Sequence, residues 1–260
     1  MEIQGSRLCC AGAIREVTVI EKAIQAQMLT DGDRVVIYDA ARLPPPVAAW
    51  FDPTHWPQRR VLDRGRGATY AIDAPFGAAV LRRYRRGGVV ARVLKDSYVW
   101  TGADHARPLR EFRLLAAAVA VGLPVPRPLA AEVRRRGAFY SGDLLMAQIA
   151  AAETLSARLA AATDWMAVDW ARLGDILGQV HARGFQHADL NAHNLLLDAR
   201  GAVWVIDWDR GRQRAPAAWS AEVLARLQRS LRKLFGARVE AADACAGWQQ
   251  LLAAHASVVG

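Results

Sequence analysis

His187-Ala188-Asp189-Leu190-Asn191-Ala192-His193-Asn194, followed shortly by Val203-Trp204-Val205-Ile206-Asp207-Trp208-Asp209, decides the reading of this chain. It sets a carboxylate at Asp189, a carboxamide at Asn194 and a second carboxylate at Asp207. A magnesium-bound triphosphate and an acceptor hydroxyl call for such a set: one carboxylate to take the hydroxyl proton, and hard oxygens to hold the metal. Asn194 to Leu197 reads as a short buried strand, Asp198-Ala199-Arg200-Gly201 as a turn, and Val203 to Ile206 as a second strand. Antiparallel pairing of the two strands brings Asn194 and Asp207 together at one end of the hairpin, where both can share a metal.

The bulk numbers set limits on this reading. At 260 residues the chain suits one large domain or two lobes with a sizeable core. No apolar run approaches the roughly 18 residues of a membrane span, and the N-terminus lacks a signal-peptide pattern. Cys9, Cys10 and Cys245 show no metal-ligand spacing and cannot all pair, which points to a reducing cytoplasm. The net charge of +9 favours anionic partners such as a nucleotide, a phosphorylated substrate or an anionic membrane surface. Arginines cluster at Arg59-Arg60, Arg64 and Arg66, Arg82-Arg83, Arg85-Arg86 and Arg134-Arg135-Arg136, and part of this is ordinary solvated surface.

Along the chain, Arg34 to Asp39 and residues 77 to 84 read as strands, and the segment around Gly65 and Gly67 as a turn between two more. Another alternating stretch follows Gly87-Gly88. Pro108 opens a helix whose apolar positions Leu109, Phe112, Leu115 and Val119 recur at helical spacing, and Gly122 with Pro124 ends it. Val125 to Val133 and Phe139 to Ile149 read as strands. Helices are then expected at Thr154 to Ala161, Trp165 to Arg183, Ala218 to Phe235 and Glu240 to Val258. The fold class is α+β: a bilobal, protein-kinase-like fold with a β-rich N-lobe (1–149) carrying one main helix, and a compact helical C-lobe (150–260).

In protein kinases the motif H-x-D-L-x-x-x-N supplies the base and one magnesium ligand, and D-F-G supplies the other. Here the second motif reads Asp207-Trp208-Asp209. The remaining parts are a strand cation paired with a helix glutamate, and a glycine-rich loop on the phosphates. Glu111, early in the helix, is the candidate glutamate; a glutamate favoured by the helix dipole is the bland alternative. Val80-Leu81-Arg82 places Arg82 at the cation position, with Arg83 and Lys95 as alternatives. Gly65 and Gly67 are the candidate phosphate loop, although an ordinary hairpin turn would look the same. His187 is expected to brace the loop, His193 to contact substrate or face solvent, and Asp209 to reach a second metal or cap a turn. A zinc reading of the histidines fails for want of further ligands.

Together Leu81-Arg82-Arg83-Tyr84-Arg85-Arg86-Gly87-Gly88, Gly122-Leu123-Pro124-Val125-Pro126-Arg127-Pro128 and the two motifs quoted first resemble the lipopolysaccharide kinase family, and within it the kinases of 3-deoxy-D-manno-octulosonic acid (Kdo). The likeness runs from about Gly65 to Arg232. It implies ATP- and Mg2+-dependent phosphorylation of the 4-hydroxyl of Kdo on Kdo-lipid IVA, by a peripheral protein at the cytoplasmic face of the inner membrane. It implies Asp189 as base, Asn194 and Asp207 as magnesium ligands, and Arg82 with Glu111 as the pair that positions phosphate. No nucleic acid or protein partner is expected. Ala188 stands where regulated protein kinases carry arginine, and no A-P-E segment follows Asp209. Both departures favour a small or lipid-linked acceptor. An aminoglycoside-type phosphotransferase and a non-catalytic, kinase-shaped binding protein are the alternatives, and the net charge of +9 speaks against the first.

Overall fold

The computed structural model describes residues 24–63, 68–84 and 98–260. Gly65, Gly67, Lys95, Cys9, Cys10, the Arg64/Arg66 and Arg85-Arg86 clusters and the stretch after Gly87-Gly88 lie outside the described residues.

Strands β1 (Ala26–Asp31), β2 (Arg34–Asp39), β3 (Arg60–Asp63), β4 (Thr69–Ala74), β5 (Gly77–Tyr84), β6 (Tyr98–Val99), β7 (Pro128–Arg136) and β8 (Phe139–Ala147) form one antiparallel sheet. Its order is β1-β2-β7-β8-β5-β4-β3, and β6 joins β8 just beyond the last pair that β8 makes with β5. Side-chain alternation gives this sheet two buried faces. On one face, Val36, Tyr38, Ile72, Leu81 and Leu145 meet Leu43, Phe51 and Trp56. The proline- and tryptophan-rich segment shows no period because it covers the sheet as irregular chain, with short 3-10 turns at Ala48–Phe51 and Pro53–His55.

The other face receives helix α1 (Arg107–Ala120), which buries Leu109, Phe112 and Leu115. Pro108 stands in its first turn, where its missing N–H costs nothing. Gly122, at φ 73°, turns the chain out of the helix. Gly142 lies where β8 passes beneath α1. A Cβ there would stand 2.6 Å from the Glu132 carbonyl oxygen and 2.7 Å from Pro108 Cγ, so glycine is what permits the close approach. The strand expected from Val125 begins only at Pro128. The preceding residues cross to the C-terminal part instead, where the Pro124 carbonyl accepts from Val205 N at 2.9 Å.

The C-terminal part holds β9 (Ala152–Thr154), α2 (Leu155–Ala161), α3 (Trp170–Ala182), β10 (Phe185–Gln186), β11 (Leu195–Asp198), β12 (Val203–Val205), β13 (Arg212–Gln213), α4 (Trp219–Phe235) and α5 (Ala242–Val259). With its β-rich N-terminal region, one main helix there and a helical C-terminal part, the chain has a kinase-like bilobal fold of the α+β class. The single helix expected over Trp165 to Arg183 is in fact a 3-10 turn (Trp165–Ala167) followed by α3. Two capping aspartates explain the break. Asp164 accepts from Met166 N and Asp169 from Arg172 N, each at 2.8 Å, so the sequence writes two N-termini. Helices α3 and α5 pack nearly backbone to backbone, because a Cβ on Gly174 would meet the Leu251 carbonyl at 2.1 Å.

That contact buries two histidines. His181 Nδ1 and His255 Nε2 lie 2.8 Å apart, and His181 packs edge-on to Trp219. Burial, and then the neighbouring His255, pushes His181 down to about 3; burial also lowers His255. Both rings are therefore neutral when folded, whereas unfolded histidine titrates near 6.5. Below that pH the unfolded chain binds more protons, so the pair's contribution to stability is complete above about pH 6.5 and falls as the pH drops toward 3. At pH 5 the loss from His181 is expected to be about 2 kcal/mol. Urea unfolding at pH 7.5 and pH 5 should show it, and His181→Gln should reduce the difference between the two pH values. An unchanged difference would assign the acid sensitivity elsewhere.

Candidate active site

Strand alternation decides what faces the helix. Val80, Arg82 and Tyr84 share the α1 side of β5, while Leu81 and Arg83 point the other way. Arg83 accordingly bonds Asp143 (3.0 Å) and the Phe51 carbonyl (3.1 Å), which removes it as an alternative to Arg82. Glu111 is buried on α1 and takes donors from three directions. Arg82 Nη1 reaches its Oε1 at 3.1 Å, Trp208 N reaches the same oxygen at 3.1 Å, and the Tyr84 hydroxyl donates to Oε2. Burial pushes the Glu111 carboxyl up, and Arg82 opposes that shift. Burial also raises the Tyr84 hydroxyl well above its ordinary range, and the Glu111 charge raises it further, which keeps it a donor. Burial works against the charge of Arg82, but Glu111 and other neighbours outweigh it, and Arg82 stays cationic.

Arg82 has a second partner. Its Nη2 lies 2.7 Å from Asp207 Oδ1. Asp207 stands in the left-handed region at φ 63°, a conformation that aspartate tolerates better than most residues. The hairpin pairs as the sequence implies: Leu195 opposes Val205, and Ile206 N donates to the Asn194 carbonyl at 2.9 Å. Asn194 and Asp207 thus meet at one end of β11 and β12.

The loop before β11 is held by its own polar groups. His187 Nε2 meets the Ile206 carbonyl at 2.9 Å, and Asp189 N donates to His187 Nδ1 at 3.3 Å, so the ring is a neutral brace. Burial lowers its proton affinity accordingly. The side-chain amides of Asn191 and Asn194 both donate to the Asp189 carbonyl, at 2.9 and 3.1 Å. His193, exposed on the loop, pairs with Ser156 Oγ at 2.7 Å. Asp209 is gripped by Arg107 through Nε at 2.7 Å and through Nη2, which accounts for it without a metal or a cap.

The Asp189 carboxylate meets two arginines, Arg226 from α4 at Oδ1 and Arg210 at Oδ2 (3.4 Å). Motif reading missed Arg210, Arg226, Tyr84 and Arg107. The parity of Arg82 and Tyr84 on one strand was a usable signal for the tyrosine. The arginines gave none, because tertiary packing alone brings them in.

The oxygen donors suit magnesium. Asn194 spends its amide nitrogen on a backbone carbonyl and keeps its oxygen for a cation, and the Asp207 carboxylate is 43% exposed. Among the described residues no three His, Cys, Asp or Glu side chains gather for a metal. A magnesium held by one carboxylate, one carboxamide, substrate phosphates and water needs no such trio.

The family model of the lipopolysaccharide kinase (Kdo/WaaP) family matches residues 56–255. The chain belongs to this family. It is 45% identical over 210 residues to a 3-deoxy-D-manno-octulosonic acid kinase of Stenotrophomonas maltophilia strain R551-3, covering 80% of this chain and 84% of that protein. Identity, coverage and name are the same for a protein of Xanthomonas campestris pv. campestris strain B100. A Xanthomonas oryzae pv. oryzae protein of that name is 44% identical over 212 residues. As a member of a kinase family, the chain is a phosphotransferase acting on a hydroxyl group.

Removing the tyrosine hydroxyl tests the Glu111 cluster. Tyr84→Phe leaves the buried carboxylate short of a donor and is expected to cost about 1–3 kcal/mol in urea unfolding. A change under about 0.5 kcal/mol would show that Arg82 and Trp208 satisfy Glu111 alone.

Proposed function

We propose that this protein transfers the γ-phosphoryl group of ATP to the 4-hydroxyl of Kdo in Kdo-lipid IVA. The observation that carries the reading is the meeting of three groups: the Asp189 loop, the Asn194/Asp207 hairpin end and the buried Arg82–Glu111 pair. Relatives at about 45% identity bear the name of the sugar acid, and this supports the acceptor.

In this reading Asp189 accepts the proton of the acceptor hydroxyl as its oxygen bonds to phosphorus and the bond to the departing ADP oxygen breaks. Asn194 and Asp207 hold magnesium, which when bound neutralises charge on the phosphates. Arg82, fixed by Glu111, positions the triphosphate, and Gly65 and Gly67, which lie outside the described residues, are assigned to its phosphates. Residues 1–149 form the lobe over the nucleotide, and 150–260 the lobe carrying the loop. No helix among the described residues is long and apolar enough to cross a membrane. With a net charge of +9, the chain suits peripheral binding to the anionic cytoplasmic face of the inner membrane.

Incubation with labelled ATP, Mg2+ and Kdo-lipid IVA tests the reading. The wild type should transfer phosphate, and Asp189→Asn should lower kcat by about 10²–10⁴-fold while still binding ATP. Transfer unaffected by the substitution would remove Asp189 as the base. Magnesium-dependent ATP binding without transfer would redirect the search to another sugar or lipid hydroxyl.

A further inference from the structure

A general base must offer a carboxylate oxygen to the acceptor hydroxyl. Here guanidinium groups stand at both Asp189 oxygens, Arg226 at Oδ1 and Arg210 at Oδ2. Neither belongs to the nucleotide side, where Arg82, Glu111 and Asp207 form a separate connected set. Arg226 and Arg210 are also more open than the base: their side chains are 47% and 65% exposed, against 33% for Asp189. Helix α4 holds Arg226 in place through Ser230, one turn further on the same face, whose hydroxyl accepts from Ala192 N at 3.2 Å. The arginine is thus registered to the loop that carries the base.

This arrangement has a chemical consequence for the acceptor. A neutral hydroxyl approaching Asp189 competes with two charged hydrogen bonds and offers the arginines only a neutral oxygen in exchange. A hydroxyl on a sugar that also carries a carboxylate brings a replacement anion. The guanidinium can turn from Asp189 to that carboxylate and bind it bidentately, while the freed aspartate oxygen takes the hydroxyl. We propose that Arg226 and Arg210 form an anion clamp that recognises the carboxylate of the acceptor sugar and releases Asp189 for catalysis only when that carboxylate is bound. This deepens, and rests on, the sugar-acid reading given above. It makes the two arginines binding residues for the acceptor, and it makes the acceptor's acid group a condition of turnover.

The test compares the acid with its ester. Transfer to Kdo-lipid IVA by the wild type is measured first. Transfer to an alkyl glycoside of Kdo and to its carboxyl methyl ester is then measured for the wild type, Arg226→Ala, Arg210→Ala and Arg226→Lys. The wild type should favour the acid over the ester by about 10- to 100-fold in kcat/KM, the range of one charge-assisted contact. Arg226→Ala should lose most of that preference through a raised acceptor KM, with the KM for ATP unchanged, and Arg226→Lys should restore part of it. An acid-to-ester ratio equal in wild type and both alanine variants overturns the clamp and leaves the Kdo reading intact. A wild type that phosphorylates neither Kdo-lipid IVA nor the glycoside overturns the Kdo reading and the clamp with it. Far-UV circular dichroism and melting temperature, measured alongside, separate a lost contact from a lost fold.

Discussion

The buried carboxylate of Glu111 is the constraint on which the site depends. A carboxylate taken out of water is costly unless donors surround it. Here the donors come from β5 (Arg82 and Tyr84) and from the backbone at Trp208, beyond β12. Satisfying one side chain on α1 therefore sets the position of the N-terminal sheet relative to the segment that carries Asp207. The same Arg82 that satisfies Glu111 also bonds Asp207. A group that must stay folded for electrostatic reasons thereby places a cation and an anion at the cleft.

Arginine serves this fold in the same way elsewhere. The buried Asp39, at the end of β2, receives Arg127 Nη2 at 2.7 Å and the backbone N–H groups of Gln25 and Ala41 at 3.0 and 3.1 Å, which fastens strands β1 and β2 to the rest of the sheet. Glu132 and Asp143 are direct partners across β7 and β8, a like-charge pair that would push the strands apart. Three arginines compensate the pair: Arg34 and Arg134 on Glu132, and Arg83 on Asp143. Burial, with Glu132 adding to it against Arg83, still pushes Asp143 up to about 6. The planar guanidinium suits such bridges better than an ammonium group does. Much of the arginine that reads as surface charge in the sequence is therefore structural.

Which parts were legible follows from range. The hairpin that joins Asn194 to Asp207 could be read because its strands, turn residues and polar ends are neighbours in sequence. Helix α1 and strands β2 and β5 were legible by period, and Arg82 and Glu111 by their places on them. The 3-10 turn before α3 escaped because the apolar pattern runs through it and only the two capping aspartates mark the break. The pairing of Arg82 with Glu111 joins segments far apart in the chain, and motif knowledge anticipated it; the further contact of Arg82 with Asp207 was not foreseen. Nothing of that kind foretold Arg226, which reaches Asp189 only through the way α4 lies on the loop at Ser230.

Asp207, Trp208 and Asp209 show what the site is not built to do. In a switchable kinase the segment after the metal aspartate must move, and phenylalanine packing there sets the active or inactive state. Here three consecutive residues are fastened to different partners. Asp207 is bonded to Arg82, Trp208 N to Glu111, and Asp209 to Arg107. The Trp208 indole is buried, donates to the Val205 carbonyl at 2.9 Å and packs edge-on against His187 and Phe185. Moving this segment would take one donor from a buried carboxylate, expose an indole and break two ion pairs at once, at a combined cost of roughly 1–3 kcal/mol or more. A segment held in this way is fixed in place, and in the proposed reading it is the floor under the nucleotide. Under the proposed clamp, control of turnover falls to what enters the cleft, where Arg226 and Arg210 stand over Asp189.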